Sequence, residues 1–183
     1  MAITINGSGT ISGITAGGLP DGVITADDLA AGVGGKVLQV VSTLKNDTFS
    51  TGSLTYTLVT GLTASITPTS ASSKILLIVN LALGTTVTDL THWRMYKDGA
   101  TLFQSTGASN TNGVGAFYTD SGSSAQNAIV GTGITYLDSP ATTSSTTYQV
   151  YVRTTGGIAY INRRGVAFDF GMCSSITAME IAA

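Results

Sequence analysis

The chain has 183 residues, 43% of them hydrophobic and only 10% charged, with a formal net charge of -2. An ordinary globular domain is about a quarter charged, and eight basic against ten acidic residues leave no basic surface of the kind that binds nucleic acid. Low hydrophobicity with high net charge, the mark of disorder, is absent, so a folded chain is expected.

Residues 1–35 stand apart from the rest. The opening Met1-Ala2-Ile3-Thr4-Ile5-Asn6-Gly7 lacks the basic start and long apolar core of a secretory signal. The whole segment is Gly-rich, with single spaced aliphatics: Ile3, Ile5, Ile11, Ile14, Leu19, Ile24 and Leu29. Gly13 to Leu19 is echoed ten residues on by Val23 to Leu29, two copies being too few for a solenoid. Thr25 and Asp28 have capping-box spacing, which predicts one helical turn over 26–30. Such a segment cannot bury its aliphatics against itself. It is expected to be an arm that orders by docking on a partner or on copies of itself, and to lie outside the main fold.

From residue 36 the chain reads as strand, turn, strand. Strands are predicted over 36–41, 54–59, 62–66 and 75–83. Those over 93–96 and 102–104 flank Asp98-Gly99, a hairpin signal. Further strands are predicted over 128–137, 147–153 and 158–161, the last two flanking Gly156-Gly157 as a second hairpin. A possible strand over 166–170 and a terminal one over 175–182 complete the set. About nine short strands at this spacing predict an all-β body over 36–183, an antiparallel β-sandwich or jelly roll. The run Ile75 to Leu83 does not alternate. An antiparallel strand with two apolar faces is expected to be covered on both, one by the sandwich core and the other by a further element of the chain or by another subunit, with Ile75, Leu77, Val79 and Leu81 the candidates for the subunit contact; the run is too short to span a bilayer. The stretch 105–126, rich in Gly, Ser and Asn, breaks the rhythm. It is read as a long loop in which Phe117 and Tyr118 either pin it to the body or stand at an exposed tip, where Asn110, Asn112 and Ser121 supply hydrogen bonds for a host-contact surface.

Residues that carry chemistry are sparse. His92 is the single histidine, beside Trp93 on a predicted strand, and is read as structural. Cys173 is the single cysteine, so neither an intrachain disulfide nor a cysteine zinc cluster is available; its apolar neighbours Phe168, Phe170 and Met172 suggest a buried thiol. No pair among the nine aspartates is marked for glycan cleavage, and no Gly-rich segment ends in Gly-Lys-Ser/Thr. Arg163-Arg164 is read as a turn with its arginines paired to acids such as Asp169 or to a neighbouring subunit, the alternative being a phosphate or acidic-sugar site. No catalytic residue, metal, cofactor or membrane insertion is expected.

Met1 to Gly13, Ala16 to Gly22, Gly35-Lys36-Val37-Leu38-Gln39-Val40-Val41, Tyr136-Leu137-Asp138-Ser139-Pro140, Ala159 to Arg163 and Met179-Glu180-Ile181-Ala182-Ala183 together resemble structural proteins of tailed phages of cyanobacteria and other aquatic bacteria. The resemblance covers most of the chain except about 86–126. It implies a virion location, a homotrimer, an N-terminal arm that attaches to other virion proteins, and a distal β domain; a host surface glycan is expected as a partner only from the 105–126 loop. The expected function is a non-enzymatic tail fibre subunit. The alternative is a capsid decoration protein, whose arm would lie across the major capsid protein. A tailspike-type polysaccharide-degrading enzyme is the third reading, and its long parallel β-helix is not visible here.

Overall fold

Alternation of apolar and polar residues writes strands whose two sides differ, and most of the chain past residue 36 obeys it. The computed structural model describes residues 4–5, 11–12, 36–86, 90–106, 113–118, 127–166 and 171–183. The chain divides into two compact units, Met1–Lys36 and Val37–Ala183. In the first, Thr4–Ile5 (β1) pairs antiparallel with Ile11–Ser12 (β2), Ile5 opposite Ile11. The spacing predicts no strand here, because a ribbon of two residues per strand needs no periodicity. Ile3, Ile14, Leu19, Ile24, Leu29 and the helical turn predicted at 26–30 lie outside the described residues.

The second unit is a β-sandwich in which every strand pairing is antiparallel. Its strands are β3 (Val37–Lys45), β4 (Phe49–Thr51), β5 (Thr57–Ile66), β6 (Lys74–Thr85), β7 (Leu90–Lys97), β8 (Ala100–Phe103), β9 (Gly115–Tyr118), β10 (Val130–Asp138), β11 (Thr146–Thr154), β12 (Ala159–Ile161) and β13 (Ser174–Ile181). In the larger sheet β6 is central. β10 runs along one side of it, and β13 then β12 along the other, with β3 outside β13 and β4 outside β12. The smaller sheet runs β5-β11-β7, with β8 and β9 sharing the far side of β7.

Three predicted elements come out differently. The strands expected over 54–59 and 62–66 are one strand, β5, carrying a bulge. Gly61 takes φ +80°, which other residues resist, so the chain kinks without leaving the sheet. The hairpin expected at Gly156-Gly157 does not form. β11 belongs to the smaller sheet and β12 to the larger, so these glycines carry a crossover. By contrast Asp98 and Gly99, at φ 49° and 81°, make the tight turn between β7 and β8.

The core lies between the sheets. Ile75, Leu77, Val79, Leu81 and Leu83 of β6 point inward and are fully buried with Val59, Leu62, Trp93, Met95, Val150 and Val152 of the opposite sheet. Each such burial is worth about 1.5–3 kcal/mol before ordering costs. This corrects the assignment of Ile75, Leu77, Val79 and Leu81 to a subunit contact: the chain's own second sheet covers them. Successive side chains of a strand point to opposite faces, and an unbroken apolar run does not say which set turns inward. The other set, Leu76 and Ile78, faces out and is half-buried.

Polar groups at the rim of the core are paired. Glu180, the only glutamate, is fully buried on the inner side of β13. Its carboxylate accepts hydrogen bonds from Gln39 Nε2 at 2.6 Å and from the Thr69 amide and hydroxyl at 2.7 Å each. They tie the β5–β6 connection to β13 and β3. Burial alone raises its pKa, but the hydrogen bonds from Gln39 and Thr69 outweigh that and bring it down to about 2. On β10, Asp138 accepts from Tyr148 Oη at 2.7 Å and from Lys97 Nζ at 3.0 Å, linking the two sheets. Asn162, at φ 63°, donates from Nδ2 to the Lys45 and Asp47 carbonyls and accepts from Ser174 Oγ.

The folded pKa of Glu180 lies below its ordinary value of 4.5. Its stabilisation is therefore complete above about pH 4.5 and fades as pH falls toward 2. Thermal melts across that window should show the loss in wild type. Glu180→Gln should be less stable at neutral pH by about 2 kcal/mol and should show a flatter acid limb.

Candidate functional site

The two outer faces of the sandwich differ in chemistry. On the smaller sheet Gln149, Tyr151 and Arg153 of β11 alternate outward from buried Tyr148, Val150 and Val152. Register sets Tyr151 opposite Arg94, Gln149 opposite Tyr96 and Arg153 opposite His92. The Tyr96 and Tyr151 rings stack at 3.9 Å between centroids. The Arg94 guanidinium lies 4.1 Å from the Tyr56 ring centroid, and that of Arg153 lies 5.8 Å away. Burial raises the Tyr56 phenol pKa although Arg94 and Arg153 oppose the shift, so it stays neutral. The result is a face of tyrosines, two fixed positive charges and an amide.

β9 extends this face and corrects the reading of the loop. Residues 115–118 are a strand on β7, with Phe117 opposite Thr91 and Tyr118 opposite Leu90. Strand alternation then separates the aromatic pair. Phe117 packs against the core, while Tyr118 is 59% exposed on the outer side. The two do not form a shared tip, because Gly115-Ala116-Phe117-Tyr118 satisfies its backbone along β7. Asn110, Asn112 and Ser121 lie outside the described residues. Sequence reasoning missed Tyr56, Arg94, Tyr96, Tyr151 and Arg153 as a group. They come from three segments, and only sheet register brings them together.

The remaining candidates fall in structural places. His92 is buried on β7. Arg163 is nearly buried, with its guanidinium over the Tyr160 ring at 4.4 Å and Nε donating to the Arg164 carbonyl; Asp169 lies outside the described residues. Cys173 is exposed, not buried as expected. It precedes β13, whose first inward side chain is Ser174. With Met172, Asn80, Gly131 and Gly133 it lines a shallow cavity of about 320 Å³. Among the described residues no three His, Cys, Asp or Glu side chains converge to hold a metal ion.

Comparison of the sequence with protein-family models and with curated proteins finds no match.

The split between Phe117 and Tyr118 is measurable. Phe117→Ala should destabilise the protein by about 2–3 kcal/mol, less than a fully buried phenylalanine because the site is partly open. Tyr118→Ala should stay within about 0.5 kcal/mol of wild type. Chemical denaturation of the two variants checks both values.

Proposed function

We propose that the chain is a non-enzymatic structural subunit of a virus particle, a trimeric phage tail fibre subunit that attaches through residues 1–35. The β-sandwich is its distal body. The outer face of the smaller sheet meets an acidic or neutral glycan on the host surface. The observation that carries this reading is the tyrosine and arginine face built by Tyr56, Arg94, Tyr96, Tyr151 and Arg153 and continued by Tyr118. Aromatic rings offer broad contact with few rotatable bonds, and arginine adds directed donors. One such face binds a sugar weakly, and three copies on a fibre add avidity. The resemblance of both chain ends to tailed-phage structural proteins supports the same assignment.

A second reading, a capsid decoration protein, draws support from Phe117. Its place against the core removes half of the exposed aromatic pair that a host-contact loop was expected to present. Copy number separates the two readings. Quantitative mass spectrometry of purified particles should find tens of copies per virion for a tail component, and hundreds would assign the chain to the head.

The glycan-facing surface has its own test. Tyr96→Ala and Tyr118→Ala together should lower particle adsorption to cells by about tenfold or more through lost avidity, with the trimer intact. Unchanged adsorption would remove the host-contact role. Deleting residues 1–35 should leave a folded body that no longer incorporates into particles. A deletion variant that incorporates normally would remove the attachment role.

A further inference from the structure

The outer face of the larger sheet has no comparable polar chemistry. Leu137 of β10, Leu76 of β6, Met179 of β13 and Val40 of β3 stand side by side in one cross-strand row. Ile78 sits outward in the next row and Leu44 in the one after. Val40 is 53% exposed, Leu44 66% and Leu137 48%. The other positions in these three rows are Thr, Ser, Gly and Asn, with no ionisable side chain among them. β3 and β10 are also the edges of this sheet, and each carries a charged residue only at its last position, Lys45 and Asp138. Long uncharged edges are ones that solitary proteins usually guard with charge or proline.

We infer that this face is the self-association surface of the chain and that the same faces of its fellow copies in the trimer cover it around their common axis. Two observations point to a copy and not to a different partner. Within these three rows the face offers no charge for an unlike partner to complement, Lys74 standing exposed at its margin one row along, and the same rows of another copy meet no like charge and desolvate none. Four strands about 4.8 Å apart and three rows, some six residues at about 3.3 Å each, give a plan area of about 380 Å², which projecting side chains enlarge to the order of a small interface. Solitary proteins rarely leave so large an apolar patch open. The inference rests on the oligomeric part of the proposed function. It replaces the inward residues of β6 with the outward ones as the contact.

The test uses the full chain. Light scattering of wild type at micromolar concentration should give an oligomer. Val40→Lys and Leu137→Lys place charge at positions already about half exposed, so circular dichroism should be unchanged while self-association weakens at least tenfold. A thiol probe reads the same face without a charge: Val40→Cys in a Cys173→Ser background should react more slowly as protein concentration rises. Folded, monomeric Lys variants with concentration-dependent protection support the inference. A wild-type oligomer that both Lys variants preserve would overturn it and leave the oligomeric reading standing. A wild-type monomer would overturn both. A monomer whose Val40→Cys thiol is protected at all concentrations would show that the chain covers its own face, which also overturns the inference.

Discussion

The sandwich depends on β6, a twelve-residue strand hydrogen-bonded along both sides and buried on one face. Its five inward aliphatics meet the opposing sheet, and its two flanks fix where β10, β13 and β12 lie. Among the described residues β3 and β4 pair within that sheet only with β13 and β12. A disturbance of β6 would therefore reach every strand of the larger sheet, whereas one of β8 or β9 touches only the side of β7. The chain has few charges to help, so stability rests on apolar burial and backbone pairing.

What polar chemistry the interior holds is used to fasten connections. Glu180 has no cation beside it among its hydrogen-bonding partners, yet it stays ionised because neutral donors from Gln39 and Thr69 converge on it. A buried carboxylate held this way is costly to misplace, so it fixes the turn before β6 against β13. Asp138 does the same work between sheets through Tyr148 and Lys97. Asn162, in a left-handed conformation that asparagine tolerates better than most residues, ties the segment after β12 to the one after β3.

The two outer faces divide the chain's interactions. One is largely aliphatic, with Lys74 at its margin; the other carries tyrosines and arginines with the phenol of Tyr56 kept neutral. The proposed virion role needs both kinds of contact, with copies of the chain and with something unlike it. Placing them on opposite sides of a thin sandwich lets both be occupied at once. Two sheets packed about 10 Å apart keep the faces close without letting one ligand reach both.

The sequence by itself determined the class of fold. Alternation over 147–153 and 175–182, the Asp98-Gly99 turn and the scarcity of helix formers are local signals, and β11, β13 and the β7–β8 turn match them. It also determined that Ile75 to Leu83, eight apolar residues in nine, would place at least one face in the core. Only tertiary structure decided the rest. Whether Leu76 or Leu77 turns inward is a choice of parity, set by which face meets the second sheet. Whether Gly156-Gly157 closes a hairpin or crosses between sheets depends on what β12 finds to pair with, here β6 and β4. The short strand β9 gains its hydrogen bonds from β7, well before it in the chain, and that pairing parts Phe117 from Tyr118. The tyrosine and arginine face was illegible for the same reason: its members are distant in the chain, and register between strands is a property of the assembled sheet, not of any segment of it.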